Sequence, residues 1–181
     1  SDIERLLAVC EDDPVGLRDQ AFLELLYASG ARIAELARLE LADVNFSDAS
    51  IRLFGKGSKE RIVPLYPIAL EAVDRYVREG RPSLLGDARS NSLFVSTRGN
   101  AMSADSLRRV FKQRAAQAGL DPSLHPHDMR HAFATDLVEG GADLRSVQEM
   151  LGHASLSTTQ VYTHLSLQHM KDVYKDAHPR S

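Results

Sequence analysis

"SIRLFGKGSKERIVPL", residues 50–65, is where the periodicity of the sequence changes. Two short runs of strand-forming residues, 51–54 and 61–65, flank a Gly-Lys-Gly turn, the pattern of a β-hairpin. On both sides the spacing is helical. Upstream, Pro14 to Ser29 sets Leu17, Ala21, Leu25 and Ala28 on one face and stops at Gly30, and a second helix is expected over residues 32–40. Downstream, residues 67–79 return to helical spacing, and "SLFVS" (92–96) reads as a short strand. Ser103 caps a helix that runs to Ala118 before Gly119, and Pro126 suits the first turn of a helix ending near Gly140. Asp143 caps the next, which ends at Gly152, and two more are expected over 156–165 and 167–176. The expected fold is α+β: one mostly helical domain over residues 1–181 with a small antiparallel sheet.

Composition narrows the function. No run approaches the ~18 apolar residues of a membrane span, and the acidic, amphipathic start "SDIERLLAVCEDD" is no secretory signal. The single cysteine, Cys10, excludes an internal disulfide and a cysteine-cluster metal site, and fits a reducing cytoplasm. A net charge of −3 argues against a uniformly basic nucleic-acid binder, but leaves room for a local basic patch.

The densest chemistry lies in "HPHDMRHAFAT", residues 125–135. His127 and His131 are four apart with Asp128 between them, a near match to the zinc-binding H-E-x-x-H pattern. On a helix, however, Arg130 shares their face, and a guanidinium that does not deprotonate would repel a cation. A phosphate resolves the conflict, because it accepts a forked pair of hydrogen bonds from an arginine and another from an imidazole. Three distant segments offer further groups of this kind. Arg32 follows Gly30 at the start of a helix, where anions are favoured. Lys56 sits at the tip of the hairpin, and "MLGHASLSTTQVYTHL" (150–165) places His153 nine residues before Tyr162. Taken singly, each reads as an ordinary surface or half-buried side chain.

Together, and in this order, the segments resemble the tyrosine recombinase (phage integrase) family. "SGARIAEL" supplies Arg32, the hairpin Lys56, "HPHDMR" His127 and Arg130, "LGH" His153, and "STTQVYTHL" Tyr162, filling the family's catalytic positions. The phrases "GKGSKERIVPL", "HAFAT" and "LGHASLSTTQVYTHL" are most similar to the Xer branch, which resolves chromosome dimers. Met129 stands where leucine is usual. Family members also carry an N-terminal helical DNA-binding domain, absent from these residues, so the chain is expected to be a piece of a longer recombinase.

The resemblance implies strand cleavage and rejoining at a DNA phosphodiester with neither metal nor ATP. Tyr162 would be the nucleophile, and Arg32 and Arg130 would clamp the non-bridging oxygens. His127 would relay the phenol's proton, Lys56 would protonate the departing 5′ oxygen, and His153 would donate to a phosphoryl oxygen. Glu35, a turn after Arg32, would orient Arg32 or His127. The implied partners are double-stranded DNA and other recombinase protomers, identical or paralogous, in a cyclic tetramer. The apolar stripe Leu167, Met170, Val173 and Tyr174 would dock on a neighbouring protomer, so residues from 167 onward are expected to be dispensable for the fold. An integrase of a phage or mobile element shares all this chemistry, and an inactive DNA-binding module is the alternative from another class.

Overall fold

The computed structural model describes residues 1–152 and 164–181. Its centre is α2 (Pro14–Ser29), begun by Asp13, whose carboxylate accepts from the Gly16 amide at 2.7 Å, and ended by Gly30 in the left-handed region at φ 64°. The sequence predicts one apolar face for α2, but nearly its whole circumference is buried, because α1 (Asp2–Ala8), α4 (Pro67–Arg75), α5 (Arg81–Leu85) and α7 (Pro126–Glu139) all pack around it. The charged residues drawn inside with it are paired. Asp19 lies between Arg18 and Arg114, and Glu24 accepts from Tyr66 and from Arg180.

α3 is five residues long (Ile33–Ala37), shorter than the expected 32–40. The chain leaves the helix because residues 39–41 are claimed by a distant segment. Leu93 donates to the Leu39 carbonyl, Leu41 donates to that of Asn91, and Glu40 bridges Ser92. The same contacts explain why "SLFVS" is no strand. Ser92 pairs with Glu40 and Val95 with Ala101, so its partners lie in different places and no ladder forms.

The hairpin appears as expected, one residue displaced: β2 (Ser50–Phe54) pairs antiparallel with β3 (Glu60–Pro64), and a two-residue β1 (Val44–Asn45) adds to β2. Ile51, Leu53 and Val63 point into the core, and so does Arg61, two residues before Val63 on the same face. α4 runs through a π turn (Tyr76–Gly80) into α5, where the Arg81 amide reaches back five residues to the Tyr76 carbonyl. Pro82 has no amide hydrogen to continue the ladder there.

Ser103 caps α6 (Ala104–Gln117) and Asp143 caps α8 (Leu144–Leu151), each as the sequence predicts, with Gly119 and Gly152 left-handed beyond their ends. α9 (His164–Ala177) begins before the expected residue 167; the predicted helix over 156–165 falls mainly outside the described residues. α9 packs on α7 and β3 of its own domain, burying Met170 and Tyr174, whose hydroxyl donates to the Ala28 carbonyl at 2.7 Å. Just beyond it the buried His178 ring sits among Tyr27, Tyr66, Phe133 and Tyr174, with centroids 4.8–5.8 Å away. The stripe on α9 therefore packs into this domain's own core, which argues against the expectation that residues from 167 onward are dispensable for the fold. Among the described residues no helix is long and apolar enough to cross a membrane.

Candidate active site

Three breaks in the backbone converge at one place: the α2–α3 junction, the start of α7 and the end of α8. Arg130, on α7, joins them. Its guanidinium is buried and donates to the Gly30 carbonyl at 2.7 Å and to the Leu151 carbonyl at 2.8 Å. Both acceptors lie at helix C-termini, whose carbonyls lack partners within the helix and carry partial negative charge. Gly30 is needed here. Its φ is positive, and a Cβ on it would lie 2.3 Å from the ring of Phe133, a buried residue of α7. Burial, with the positive charges of Arg32 and Arg61 nearby, lowers the Arg130 pKa to about 10, so the group stays charged at neutral pH. Among the described residues it has no carboxylate partner. Two carbonyls hold the cation without neutralising it, and among the described residues they take two of its five N–H groups.

Arg32 occupies the extended position before α3, at φ −76° and ψ 149°, with its amide donating to Glu35 Oε1 at 2.8 Å. Its side chain is half exposed, and its guanidinium stands 3.9 Å from that same oxygen. Arg32, Arg130 and His127 line one cavity of about 420 Å³, with Arg108, Lys112 and His125 on its wall. Lys56, at the hairpin turn, lines a larger open cavity of about 1100 Å³ together with Arg32, Glu35, Arg61 and Gly152. Arg32 thus stands on the border between the two. The structure brings Arg32, His127 and Arg130 together and sets Lys56 across Arg32 from them; His153 and Tyr162 lie outside the described residues. The cavity walls are strongly basic although the chain is net negative.

Glu35 meets one of its two expected partners, Arg32. It touches Arg32, mainly through the backbone, but its principal partner is Arg61, which donates to both of its oxygens, at 3.0 Å to Oε1. Burial would raise the Glu35 pKa, and the hydrogen bonds and charge of Arg61, with the Arg32 amide and charge, hold it below the usual carboxylate range. Sequence reasoning missed Arg61, Arg108 and Lys112. Arg108 and Lys112 are four apart on α6, a helical spacing that puts two cations on one face, and Lys112 donates to the Pro122 and Leu124 carbonyls, fixing the approach to α7. Among the described residues no three His, Cys, Asp or Glu side chains converge as a metal site would require.

The model of the phage integrase family matches residues 1–169. The tyrosine recombinase XerD of Pseudomonas aeruginosa is 49% identical over 181 residues, covering 99% of this chain and 61% of that protein. The chain therefore spans less than two thirds of the length of that relative. Among solved structures, the XerA recombinase superposes with a TM-score of 0.77 at 31% identity, over 99% of this chain and 64% of that one. The XerH site-specific recombinase, bound to a palindromic difH substrate in a post-cleavage complex, gives 0.71 at 25% identity, over 98% and 48%.

Proposed function

The chain belongs to the phage integrase family, and on that premise we propose that it is the catalytic unit of a Xer-type site-specific recombinase that cleaves and rejoins DNA through a covalent tyrosine intermediate. The observation that carries the reading is Arg130, a buried cation held by two carbonyls and lining the same cavity as Arg32 and His127. Such a site attracts an anion and is pre-organised to stabilise the charge that develops on a phosphoryl group in flight.

In the proposed reaction the Tyr162 phenolate attacks the scissile phosphorus, forming the tyrosine O–P bond as the bond to the 5′ oxygen breaks. The phenol proton passes to His127 or solvent, and Lys56 gives its proton to the departing 5′ oxygen. Arg32, Arg130 and His153 hold the non-bridging oxygens. Attack by a 5′ hydroxyl reverses these steps, so the phosphodiester energy is kept and no ATP is needed. The cations take the place that metal ions hold in many nucleases. The proposed partners are double-stranded DNA and further protomers of this or a paralogous recombinase in a cyclic tetramer, acting in the cytoplasm.

The test uses a randomised pool of nicked duplexes, from which cleavage releases a short 5′-hydroxyl strand and traps the protein. A covalent adduct stable to denaturant is expected, persisting in excess chelator and absent from Tyr162→Phe. Arg130→Ala is expected to slow it by ~10²–10³-fold. An undiminished adduct in folded Tyr162→Phe, or activity lost to chelator and restored by magnesium or zinc, refutes the reading.

A further inference from the structure

Arg61 is 4% exposed on the inward face of a strand, a costly place for a cation. Three interactions compensate. It takes both oxygens of Glu35, itself 3% exposed, and its Nε donates to the Met150 carbonyl at 2.7 Å in the last turn of α8. Gly152 lies so close over it that a Cβ there would stand 2.8 Å from Nη1 and 3.0 Å from both Cδ and Cζ. One side chain thus links the strand after the Lys56 turn, the start of α3 and the end of α8.

Among the described residues Glu35 pairs with two cations, and it engages them unequally. Arg61 binds it bidentately, whereas Arg32 stands 3.9 Å from Oε1 with a half-exposed side chain. A buried carboxylate that lost Arg61 would keep a large desolvation cost, and Arg32 is the nearest charge able to offset it. Drawn onto Glu35, Arg32 would be neutralised and turned away from the cavity it shares with Arg130.

We propose that Arg61 is a positioning residue for DNA cleavage: by occupying both oxygens of Glu35, it leaves the Arg32 guanidinium free for the phosphate. The proposal rests on the reading of Arg32 given above. Two buried arginines, near enough for each to feel the other's charge, then have opposite duties. Arg61 spends its charge on a carboxylate, while Arg130, held by carbonyls, keeps its own.

The experiment compares covalent-adduct rates on the nicked-duplex pool, per folded molecule, for the unmodified chain, Arg61→Met, Glu35→Gln, the double variant and Arg32→Ala, with DNA affinity measured alongside. Glutamine keeps the oxygen that accepts the Arg32 amide but carries no charge to capture its guanidinium. Arg61→Met is expected to lose roughly tenfold or more in rate, a part of what removing a phosphate donor outright costs, with DNA affinity little changed. Adding Glu35→Gln should restore most of that rate. A merely structural Arg61 gives no such rescue per folded molecule, so equal rates for the single and double variants, or an unimpaired Arg61→Met, overturn the proposal. Should Arg61→Met fail to fold, Arg61→Lys, which keeps a cation but cannot bind both oxygens and the Met150 carbonyl at once, is compared in the same way. An unimpaired Arg32→Ala would instead overturn the reading of the site itself.

Discussion

Acidification from pH 7 to pH 5 is expected to weaken the fold through His178. The ring is fixed as the neutral Nε2–H tautomer by two bonds: Nε2 donates to the Tyr27 carbonyl at 3.1 Å, and Nδ1 accepts the Arg180 amide at 3.2 Å. Protonating Nδ1 would set two N–H groups against each other inside a cage of four aromatic rings, with the Arg180 guanidinium nearby; the Tyr27 carbonyl and, across Tyr27, Asp136 favour the charge but do not offset the burial. Burial, then Arg180, accordingly lowers its pKa from 6.5 to about 4. The unfolded chain therefore binds the proton first, so stability is complete above pH 6.5, falls as pH drops from 6.5 to 4, and levels off below. At 1.36 kcal/mol per pKa unit the full loss is about 3 kcal/mol, of which ~2 falls between pH 7 and pH 5. Urea unfolding should register the latter as a drop in midpoint of about 1 M for a slope near 2 kcal/mol/M. In His178→Phe, which fills the cage but cannot titrate, this part of the pH dependence should disappear. Identical pH dependence in the two proteins would refute the reasoning.

Two further outcomes follow from close contacts. Gly30→Ala places a methyl 2.3 Å from the Phe133 ring at a positive φ, and should cost about 2–5 kcal/mol, adding left-handed strain to overpacking, as a lowered urea midpoint would show. Truncation before Leu167 removes Met170, Tyr174 and His178 from the core and Arg180 from Glu24; it should abolish a cooperative thermal transition in calorimetry, whereas a retained transition would show that the C-terminal residues are not structural.

The sequence made its elements readable wherever a side chain dictates the backbone. Asp13 and Gly30 mark the limits of α2, Ser103 and Asp143 the starts of α6 and α8, and Gly55 to Gly57 the turn of the hairpin. It misled where backbone groups from elsewhere intervene. α3 stops early and "SLFVS" stays unpaired as a strand because residues 39–41 and 91–93 exchange hydrogen bonds, and nothing local announces that. α1 was missed although Ser1 and Glu4 form a reciprocal cap, a signal present in the first four residues. In the site, Arg32, Lys56, His127 and Arg130 were legible from the motifs that carry them. Arg61 was not, because a charged residue on a strand ordinarily faces water. Its phase gives it away: it shares parity with Val63, so the alternation that buries one buries the other.

The His178 cage also bears on how the chain matures during translation. Tyr27 and Ala28 leave the ribosome about 150 residues before their partners: the Tyr174 hydroxyl bonds to Ala28 across 146 positions, and His178 to Tyr27 across 151. Until residue 178 has cleared the exit tunnel, Tyr27, Tyr66 and Phe133 lack the ring they pack around. A nascent chain can form α2 and the hairpin but cannot close its interior, and contacts of such long sequence separation are also those that slow folding. A ribosome stalled between residues 150 and 170 should accordingly hold a protease-sensitive intermediate, whose protection rises in a single step once the histidine emerges.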